Sequence, residues 1–264
     1  MNSLELFAGI GGIALAEQMA GINVLGLSEI GDYPVKILSK NFPGIPILKD
    51  VKKINKQSLM EVGIDPKTID IISGGFPCQP FSVAGHRRGT EDDRDLWPEM
   101  FRIIQEIKPS WVIGENVANF ANMELDRTLS DLESEGYQAR TFVLPATAVG
   151  APHKRMRTFI VANANSKRWS SMDKDKTIRR DWQHTKSIAT QGKQKKSWAA
   201  TVHVLSTGAE LLSQSSSRLR RNDDGLSQGV DRLKCLGNAV MPQQILPIFQ
   251  AIVEIENKKI GGQR

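Results

Sequence analysis

Short apolar runs alternate with helical patterns from the start of the chain, and this alternation constrains the fold more than any other feature. Seven runs have the length and composition of strands: SLELF (3–7), INVLGLS (22–28), IPILKD (45–50), IDIISGG (69–75), SWVIGENV (110–117), QARTFVLPA (138–146) and RMRTFIVA (155–162). Stretches with helical spacing lie between them: GIALAEQMAG (12–21), YPVKILSKNF (33–42), LWPEMFRIIQEI (96–107) and LDRTLSDLESEG (125–136). This order predicts an α/β fold with a seven-stranded, mostly parallel sheet and helices on both faces. Little helical pattern separates the last two runs, which indicates an antiparallel strand at one edge.

The sequence divides into three parts, 1–162, 163–230 and 231–264. The middle part is polar and basic, whereas the last part predicts a Gly-Asn turn followed by an amphipathic helix from about Pro242. Residues 163–222 carry thirteen Lys and Arg against four Asp and Glu, a net charge of +9 compared with +6 for the whole chain. Such a concentration suits a polyanion such as nucleic acid, although a solvated basic insert fits it equally well.

Several classes of protein are disfavoured by the composition. The sequence has no run of 18 apolar residues and no cleavable leader pattern, so we expect a soluble protein of the cell interior without a membrane partner. The two cysteines, Cys78 and Cys235, lie in unrelated contexts, which argues against a disulfide framework. Four scattered histidines give no metal-ligand pattern, so no metal is expected.

A glycine-rich turn, FAGIGG at 7–12, follows the first strand and opens a helix. Such turns let a ligand approach the backbone, but they serve NAD, FAD, nucleotides and S-adenosylmethionine alike. Glu29 closes the second strand, where a carboxylate can accept hydrogen bonds from ribose hydroxyls, and Asp50 closes the third. Each acidic residue alone is more often a helix cap, but three successive strand ends of this kind favour a nucleoside site.

The segment GGFPCQPFS at 74–82 is the most specific feature of the chain. Most cysteines are inert and buried, but here Cys78 lies between two prolines at a strand end, which favours a fixed and accessible thiol. Glu115 ends the fifth strand beside the same cleft and could protonate or hydrogen-bond a ring nitrogen. Arg155 and Arg157 enter the seventh strand on one face, a pair suited to a carbonyl oxygen or a phosphate. A charged, solvent-facing edge strand is the alternative for the two arginines.

Taken together and in order, these motifs resemble the cytosine-5 DNA methyltransferase family. The resemblance rests on FAGIGG, GGFPCQPFS, ENV, HKRMR and LGNAV, and covers 4–162 and about 231–255. It implies a Rossmann-like, S-adenosylmethionine-dependent methyltransferase fold with a small irregular target-recognition lobe. On this basis 1–162 is the catalytic domain, 163–230 the recognition region and 231–264 a return to the catalytic domain.

The resemblance also assigns roles to individual residues. It implies four catalytic residues around a flipped cytosine: Cys78, Glu115, Arg155 and Arg157. It implies S-adenosylmethionine as the cofactor, with S-adenosylhomocysteine as product, and a pocket lined by Phe7, Gly9, Gly11, Glu29, Ile30, Asp50, Val51, Pro77, Leu96 and Asn238. It implies DNA contacts from a mobile loop and from the motif before the last strand, through Gln79, Ser82, Arg87, Arg88 and His153. His153 stands where the family usually has Gln.

In the mechanism that the resemblance implies, the Cys78 thiolate attacks C6 of cytosine while Glu115 engages N3 and Arg157, helped by Arg155, holds O2. The methylated C5 then loses its proton, with water as the expected base. The substrate would be a specific short site in double-stranded DNA, whose target base must rotate out of the stack.

The recognition region of about 70 residues resembles that of small phage and prophage enzymes. We expect a monomer in the cytoplasm of a bacterial cell or phage-infected host, with a restriction endonuclease for the same site as a possible companion. Two alternatives stay open: an RNA cytosine-5 methyltransferase of the tRNA type, and a catalytically silent DNA-binding protein of the same fold.

Overall fold

A computed structural model describes the part of the chain that forms the predicted sheet and the C-terminal helix. The described residues are 1–77, 95–118, 120, 124–164, 235 and 237–261. Five of the predicted site residues lie outside them: Cys78, Gln79, Ser82, Arg87 and Arg88. The predicted recognition region also lies outside them, except for its first two residues.

All seven predicted strands are present. They are β1 (Asn2–Leu6), β2 (Asn23–Ser28), β3 (Ile47–Leu48), β4 (Ile71–Gly74), β5 (Trp111–Val117), β6 (Gln138–Leu144) and β7 (Arg157–Asn163). The helices of the described residues are α1 (Gly12–Met19), α2 (Asp32–Asn41), α3 (Lys56–Glu61), α4 (Trp97–Ile107), α5 (Leu125–Ser134) and α6 (Pro242–Gly261). Each predicted helix is therefore found, and the short α3 is added to them.

The sheet is mixed, with the strand order β3-β2-β1-β4-β5-β7-β6. The first five strands run parallel, and β7 is antiparallel to both of its neighbours. The predicted antiparallel strand therefore lies one position inside the edge. Burial explains the order, because six of the seven residues of β7 are buried whereas none of those of β6 is. The more apolar strand takes the position that is covered on both sides.

Helices cover both faces of the sheet, as predicted. On one face α3, α4 and α5 pack through a cluster that includes Leu59, Met100 and Leu132. On the other face α1 and α6 pack through Ile13 and Phe249. The C-terminal segment thus completes the core of the first part of the chain. None of the helices in the described residues is long and apolar enough to cross a bilayer.

Spacing of apolar residues decides which side each helix buries. Residues three and four positions apart form the buried stripe of α4, namely Trp97, Met100, Ile103 and Ile104. The same spacing places three residues of α6 in the core, namely Ile245, Phe249 and Ile252. Lys108 ends α4 in a left-handed conformation, with a φ of 55°.

Two carboxyl groups are buried between the sheet and α1. Glu5 of β1 is 1% exposed, and its Oε2 accepts a hydrogen bond of 2.9 Å from the backbone N–H of Ala14. Glu17 of α1 is fully buried, and its Oε2 accepts a hydrogen bond of 2.8 Å from the Ser3 hydroxyl. Burial raises the pKa of Glu17 to about 7, and burial together with the Glu17 charge raises the pKa of Glu5. This pair makes the folded chain sensitive to pH.

We expect Glu17→Gln to stabilise the protein at alkaline pH. Below the ordinary value of 4.5 the Glu17 carboxyl is protonated in both folded and unfolded chains, so it has no effect on stability there. As pH rises through 4.5 towards about 7, only the unfolded chain ionises freely, and the folded state loses on the order of 3 kcal/mol. The glutamine variant does not incur this loss.

Urea unfolding at about pH 5 and about pH 8 measures the effect. The stability gap between Glu17→Gln and the unmodified chain should widen at the higher pH. Glu133→Gln, a change at an exposed position of α5, serves as the control and should show no such widening. An equal gap at both pH values for Glu17→Gln would contradict the assignment.

Candidate active site

The residues predicted to form a site converge on one edge of the sheet. The strands β1, β2, β4 and β5 are parallel, so their carboxyl ends meet at that edge. The antiparallel β7 begins there, because Arg157 pairs with Val117 at the end of β5. Topology therefore brings together the glycine-rich turn, Glu29, the GGFP segment, Glu115 and Arg157.

The glycine-rich turn after β1 has an unusual backbone. Phe7, Gly9 and Gly11 have positive φ values of 56°, 56° and 85°. For Phe7 this conformation costs of the order of 1–3 kcal/mol, and such strain concentrates at functional sites. A Cβ on Gly11 would lie 2.3 Å from the Phe42 ring, so a side chain is excluded at that position. A Cβ on Gly9 would meet nothing within 4 Å, which leaves the backbone open to a ligand.

Glu29 fastens this turn to the end of β2. Its Oε2 accepts a hydrogen bond of 2.8 Å from the N–H of Gly9, and its Oε1 accepts another of 2.8 Å from the N–H of Gly31. A carboxylate has about four acceptor positions, so both oxygens retain capacity for hydroxyl donors. The adjacent Ile30 is 74% exposed, an apolar surface beside the carboxylate. A carboxylate next to an apolar side chain suits a nucleoside.

Asp50 and Val51 follow β3, and both make contacts that stabilise the local backbone. Asp50 caps a 3-10 turn, with its Oδ1 accepting from the N–H of Lys52 at 3.0 Å. Val51 is buried, and its carbonyl accepts from the Arg102 guanidinium at 3.2 Å. The capping role considered from the sequence is thus present at Asp50, and its position beyond β3 is compatible with a second role.

The GGFP segment after β4 is fixed by contacts on both sides. The Phe76 ring is 2% exposed, and its centroid lies 5.0 Å from that of Trp97. The Asn116 side-chain amide donates to the Phe76 carbonyl at 3.0 Å, and the Leu96 N–H donates to the Pro77 carbonyl at 3.1 Å. These contacts fix the positions of Phe76 and Pro77 beside the end of β5.

A buried ion pair lies beside this segment. Arg157 Nε lies 2.7 Å from Glu115 Oε1, and Glu115 is 7% exposed. Glu115 shares a face with Val117, the residue opposite Arg157, because side chains alternate along a strand. The other oxygen, Oε2, would lie 2.9 Å from a Cβ built on Gly75, so this carboxylate lies close against the backbone of the GGFP segment.

Burial raises the pKa of Glu115 to about 7, although the charges of Arg157 and Arg155 act in the opposite direction. The carboxyl group therefore changes its protonation state near neutral pH. A group with such a pKa is suited to general acid–base chemistry.

The remaining predicted residues within the described part of the chain are Arg155, Asn238 and His153. Arg155 precedes β7 and has a φ of 25°, so the strand alternation expected to align it with Arg157 does not extend to it. Its Nη2 donates to the carbonyls of Gly237 and Ala239. Asn238 is exposed in a helical turn at the predicted Gly-Asn position, and His153 is exposed in the loop before β7.

Two residues of this region were not predicted. Asn116 is 6% exposed and fixes the Phe76 carbonyl, and Gln244 is 1% exposed and joins α6 to the loop before β7. A polar residue next to Glu115 in an otherwise apolar strand was a signal for Asn116. Gln244 had no such signal, because its partners are main-chain carbonyls distant in sequence.

Within the described residues no group of three or more His, Cys, Asp or Glu side chains could hold a metal ion. The acidic residues at the edge of the sheet instead contact backbone amides, as at Glu29 and Asp50, or arginine, as at Glu115.

Comparison with known proteins finds relatives that are type II methyltransferases. The chain is 38% identical over 171 residues to the type II methyltransferase M.Eco47II of Escherichia coli, a match that covers 61% of this chain and 39% of that protein. It is 33% identical over 170 residues to M.HhaI of Haemophilus parahaemolyticus, covering 62% and 50%. It is 31% identical over 175 residues to M.AquIA of Picosynechococcus sp., covering 61% and 71%. The chain thus spans half or less of the length of the first two.

Solved structures show the same fold. A candidate DNA modification methyltransferase encoded within a prophage of E. coli matches with a TM-score of 0.52 and 26% identity, covering 62% of this chain and 46% of that one. A Spodoptera frugiperda DNMT2 mutant matches with a TM-score of 0.52 and 24% identity, covering 62% and 50%. The fold is therefore the Rossmann-like α/β fold of S-adenosylmethionine-dependent methyltransferases.

A family model for the C-5 cytosine-specific DNA methylases matches residues 1–224, which is most of the chain. The sheet order, the edge at which the site residues meet and this match agree: the chain belongs to the C-5 cytosine-specific DNA methylase family.

Proposed function

We propose that this protein transfers a methyl group from S-adenosylmethionine to C5 of cytosine in DNA, with Cys78 as the nucleophile. The observation that carries the proposal is the buried pair of Glu115 and Arg157, which adjoins the segment leading into Cys78. The pair offers a proton or hydrogen bond and a fixed positive charge to one flat polar ring. Membership of the family supplies the reaction class.

The edge of the sheet fits the proposed cofactor. Gly9 leaves its backbone open, Glu29 retains acceptor capacity for ribose hydroxyls, and Ile30 presents an exposed apolar side chain for an adenine ring. When bound, S-adenosylmethionine would supply an electrophilic methyl group on its sulfonium. The residues that would hold it are Phe7, Gly9, Gly11, Glu29, Ile30, Asp50, Val51, Pro77, Leu96 and Asn238.

Cytosine C5 is a weak nucleophile, so the chain's own residues must raise its electron density. The Cys78 thiolate adds to C6, and the electrons of the C5–C6 double bond move towards C5 while Glu115 hydrogen-bonds or protonates N3. Arg157 stabilises the charge at O2. C5 would bond to the methyl carbon as the bond between that carbon and the sulfonium breaks, with S-adenosylhomocysteine as the leaving group. C5 then loses its proton to water, N3 returns to Glu115 any proton it has taken, and the bond between sulfur and C6 breaks, which restores both the ring and the thiolate.

Chain geometry supports this assignment of Cys78. Gly75 lies against Glu115 Oε2, and Cys78 is three residues further along the chain. Three residues span at most roughly 11 Å, which sets an upper limit on the distance between the Cα atoms of Gly75 and Cys78. This limit is compatible with a thiol and a carboxyl group that act on one base.

The substrate we infer is a short specific site in double-stranded DNA, with the target nucleotide rotated out of the helix. The net charge of +9 over 163–222 supports contacts with phosphates. Gln79, Ser82, Arg87, Arg88 and His153 would contribute DNA contacts. A cytoplasmic monomer, with a restriction endonuclease as companion, completes the proposal, since the relatives named above are type II methyltransferases.

Replacing the nucleophile should abolish activity. We expect Cys78→Ala to transfer no tritiated methyl groups to unmethylated genomic DNA, because without sulfur no covalent addition activates C5. Cys235→Ala changes the chain's only other cysteine and should retain activity. Normal turnover by Cys78→Ala would refute the mechanism, and methylation of transfer RNA in preference to DNA would assign the enzyme to RNA.

The pH dependence of kcat/KM should report Glu115. Its pKa of about 7 lies above the ordinary carboxyl value, so the protonated form declines as pH rises through 7, and the rate should fall on that side. Glu115→Gln keeps a hydrogen-bond donor but does not titrate. We expect this variant to lose the alkaline fall and to be slower at about pH 6 by roughly 100-fold, because an amide cannot transfer a proton.

The substrate is a DNA fragment that the unaltered enzyme modifies. Initial rates of methyl transfer to it, measured from about pH 5.5 to about pH 8.5, give the pH profiles of the unaltered enzyme and of Glu115→Gln. Asn116→Asp is a poor control because Asn116 holds the Phe76 carbonyl, whereas Glu133→Gln, at an exposed position, should reproduce the original profile. An alkaline fall that persists unchanged in Glu115→Gln would show that another group titrates.

A further inference from the structure

Arg155, which precedes β7, and Arg157, its first residue, make different contacts. Arg157 pairs with Glu115, whereas Arg155 points its Nη2 at the segment 237–240 that precedes α6. The Nη2 of Arg155 donates to the Gly237 carbonyl at 2.8 Å and also to the Ala239 carbonyl. Because this nitrogen has two hydrogens, the two carbonyls take both of them.

Gln244 makes a second connection between the C-terminal segment and the residues before β7. Gln244 in the first turn of α6 donates from Nε2 to the Leu144 carbonyl at 2.6 Å and to the Arg155 carbonyl at 3.1 Å. Gln244 is 1% exposed, so water does not compete for these contacts. Arg155 is thus bound to the C-terminal segment through both its side chain and its main chain.

The segment 237–240 also touches the glycine-rich turn. A Cβ on Gly12 would lie 2.2 Å from the Val240 carbonyl oxygen, so only glycine permits this approach. Gly12 is the first residue of α1, directly after the turn whose Gly9 is held by Glu29. The segment therefore lies between Arg155 on one side and the start of α1 on the other, and it carries Asn238.

We propose that Arg155 is a positioning residue for the cofactor site, acting through the segment 237–240, and that Arg157 is the arginine of the pair that serves the base. Arg155 holds this segment against the start of α1, and this contact fixes the position of Asn238 relative to the glycine-rich turn. This inference rests on the proposed function, because it assumes that S-adenosylmethionine binds at this edge. Arg155 and Arg157 thereby have different roles, whereas the sequence alone assigns both of them to the base.

The proposal predicts a loss of cofactor affinity that needs no DNA. Arg155→Met keeps the length of the side chain and removes its donors. Because hydrogen bonds from a charged group are the strong ones, we expect S-adenosylhomocysteine to bind this variant roughly 10- to 100-fold more weakly. Lys154→Met removes a neighbouring, exposed charge and should bind within about twofold of the unaltered chain.

Calorimetric titration of the full chain with S-adenosylhomocysteine, without DNA, measures these affinities. Steady-state rates add a second readout: Arg155→Met should raise KM for S-adenosylmethionine, whereas Arg157→Met should lower kcat. Equal affinity in a folded Arg155→Met variant would overturn the inference. No binding by the unaltered chain would instead count against the proposed cofactor, so the two failures are distinguishable.

A second variant covers the case in which Arg155→Met does not fold. Gln244→Leu removes the other connection while the Arg155 side chain stays in place. We expect faster amide exchange at 237–241 and weaker S-adenosylhomocysteine binding in this variant. Unchanged exchange together with unchanged affinity would overturn the proposal.

Discussion

The antiparallel pairing of β7 with β5 is the constraint on which the site depends. It places Arg157 opposite Val117 and so brings its guanidinium to within 2.7 Å of Glu115 in a buried setting. Were β7 parallel, its first residue would lie at the other edge of the sheet. Burial of Glu115 would be costly without this partner, and burial beside it gives a carboxyl group that titrates near neutrality. The direction of β7 thus determines which charge faces Glu115, and burial raises the pKa of that carboxyl group.

The other parts of the site follow from the parallel strands. Their carboxyl ends meet at one edge, where Glu29 holds the glycine-rich turn and Asn116 holds the GGFP segment. Glycine occurs at Gly12, where a side chain would clash with the Val240 carbonyl, and at Gly75, which lies close to the Glu115 carboxylate. The residues of the proposed cofactor pocket and the segment that precedes Cys78 therefore lie at the same edge of the sheet. The proposed reaction requires this proximity, because a methyl donor and a nucleophile must act on the same ring.

The sequence predicted the strands and helices well because their apolar periods are strong, as in the buried stripe of α4. It also indicated Glu115 and Arg157, since charged residues at strand ends are conspicuous in a parallel sheet. The position of β7 between β5 and β6 was not predicted, because the order of strands depends on packing between residues distant in sequence. The contacts of Arg155 with Gly237 and Ala239 were missed for the same reason. The expectation that Arg155 follows the strand alternation took no account of its positive φ.

The central claim is that the sulfur of Cys78 adds to the base held by Glu115 and Arg157. Incubation with S-adenosylmethionine and a DNA fragment in which 5-fluorocytosine replaces cytosine tests it directly, because fluorine at C5 cannot leave as the proton does. Peptide mass spectrometry should then find a stable nucleotide adduct on the peptide that contains Cys78. Methylation of ordinary DNA without any such adduct, or an adduct on Cys235 alone, would contradict the account.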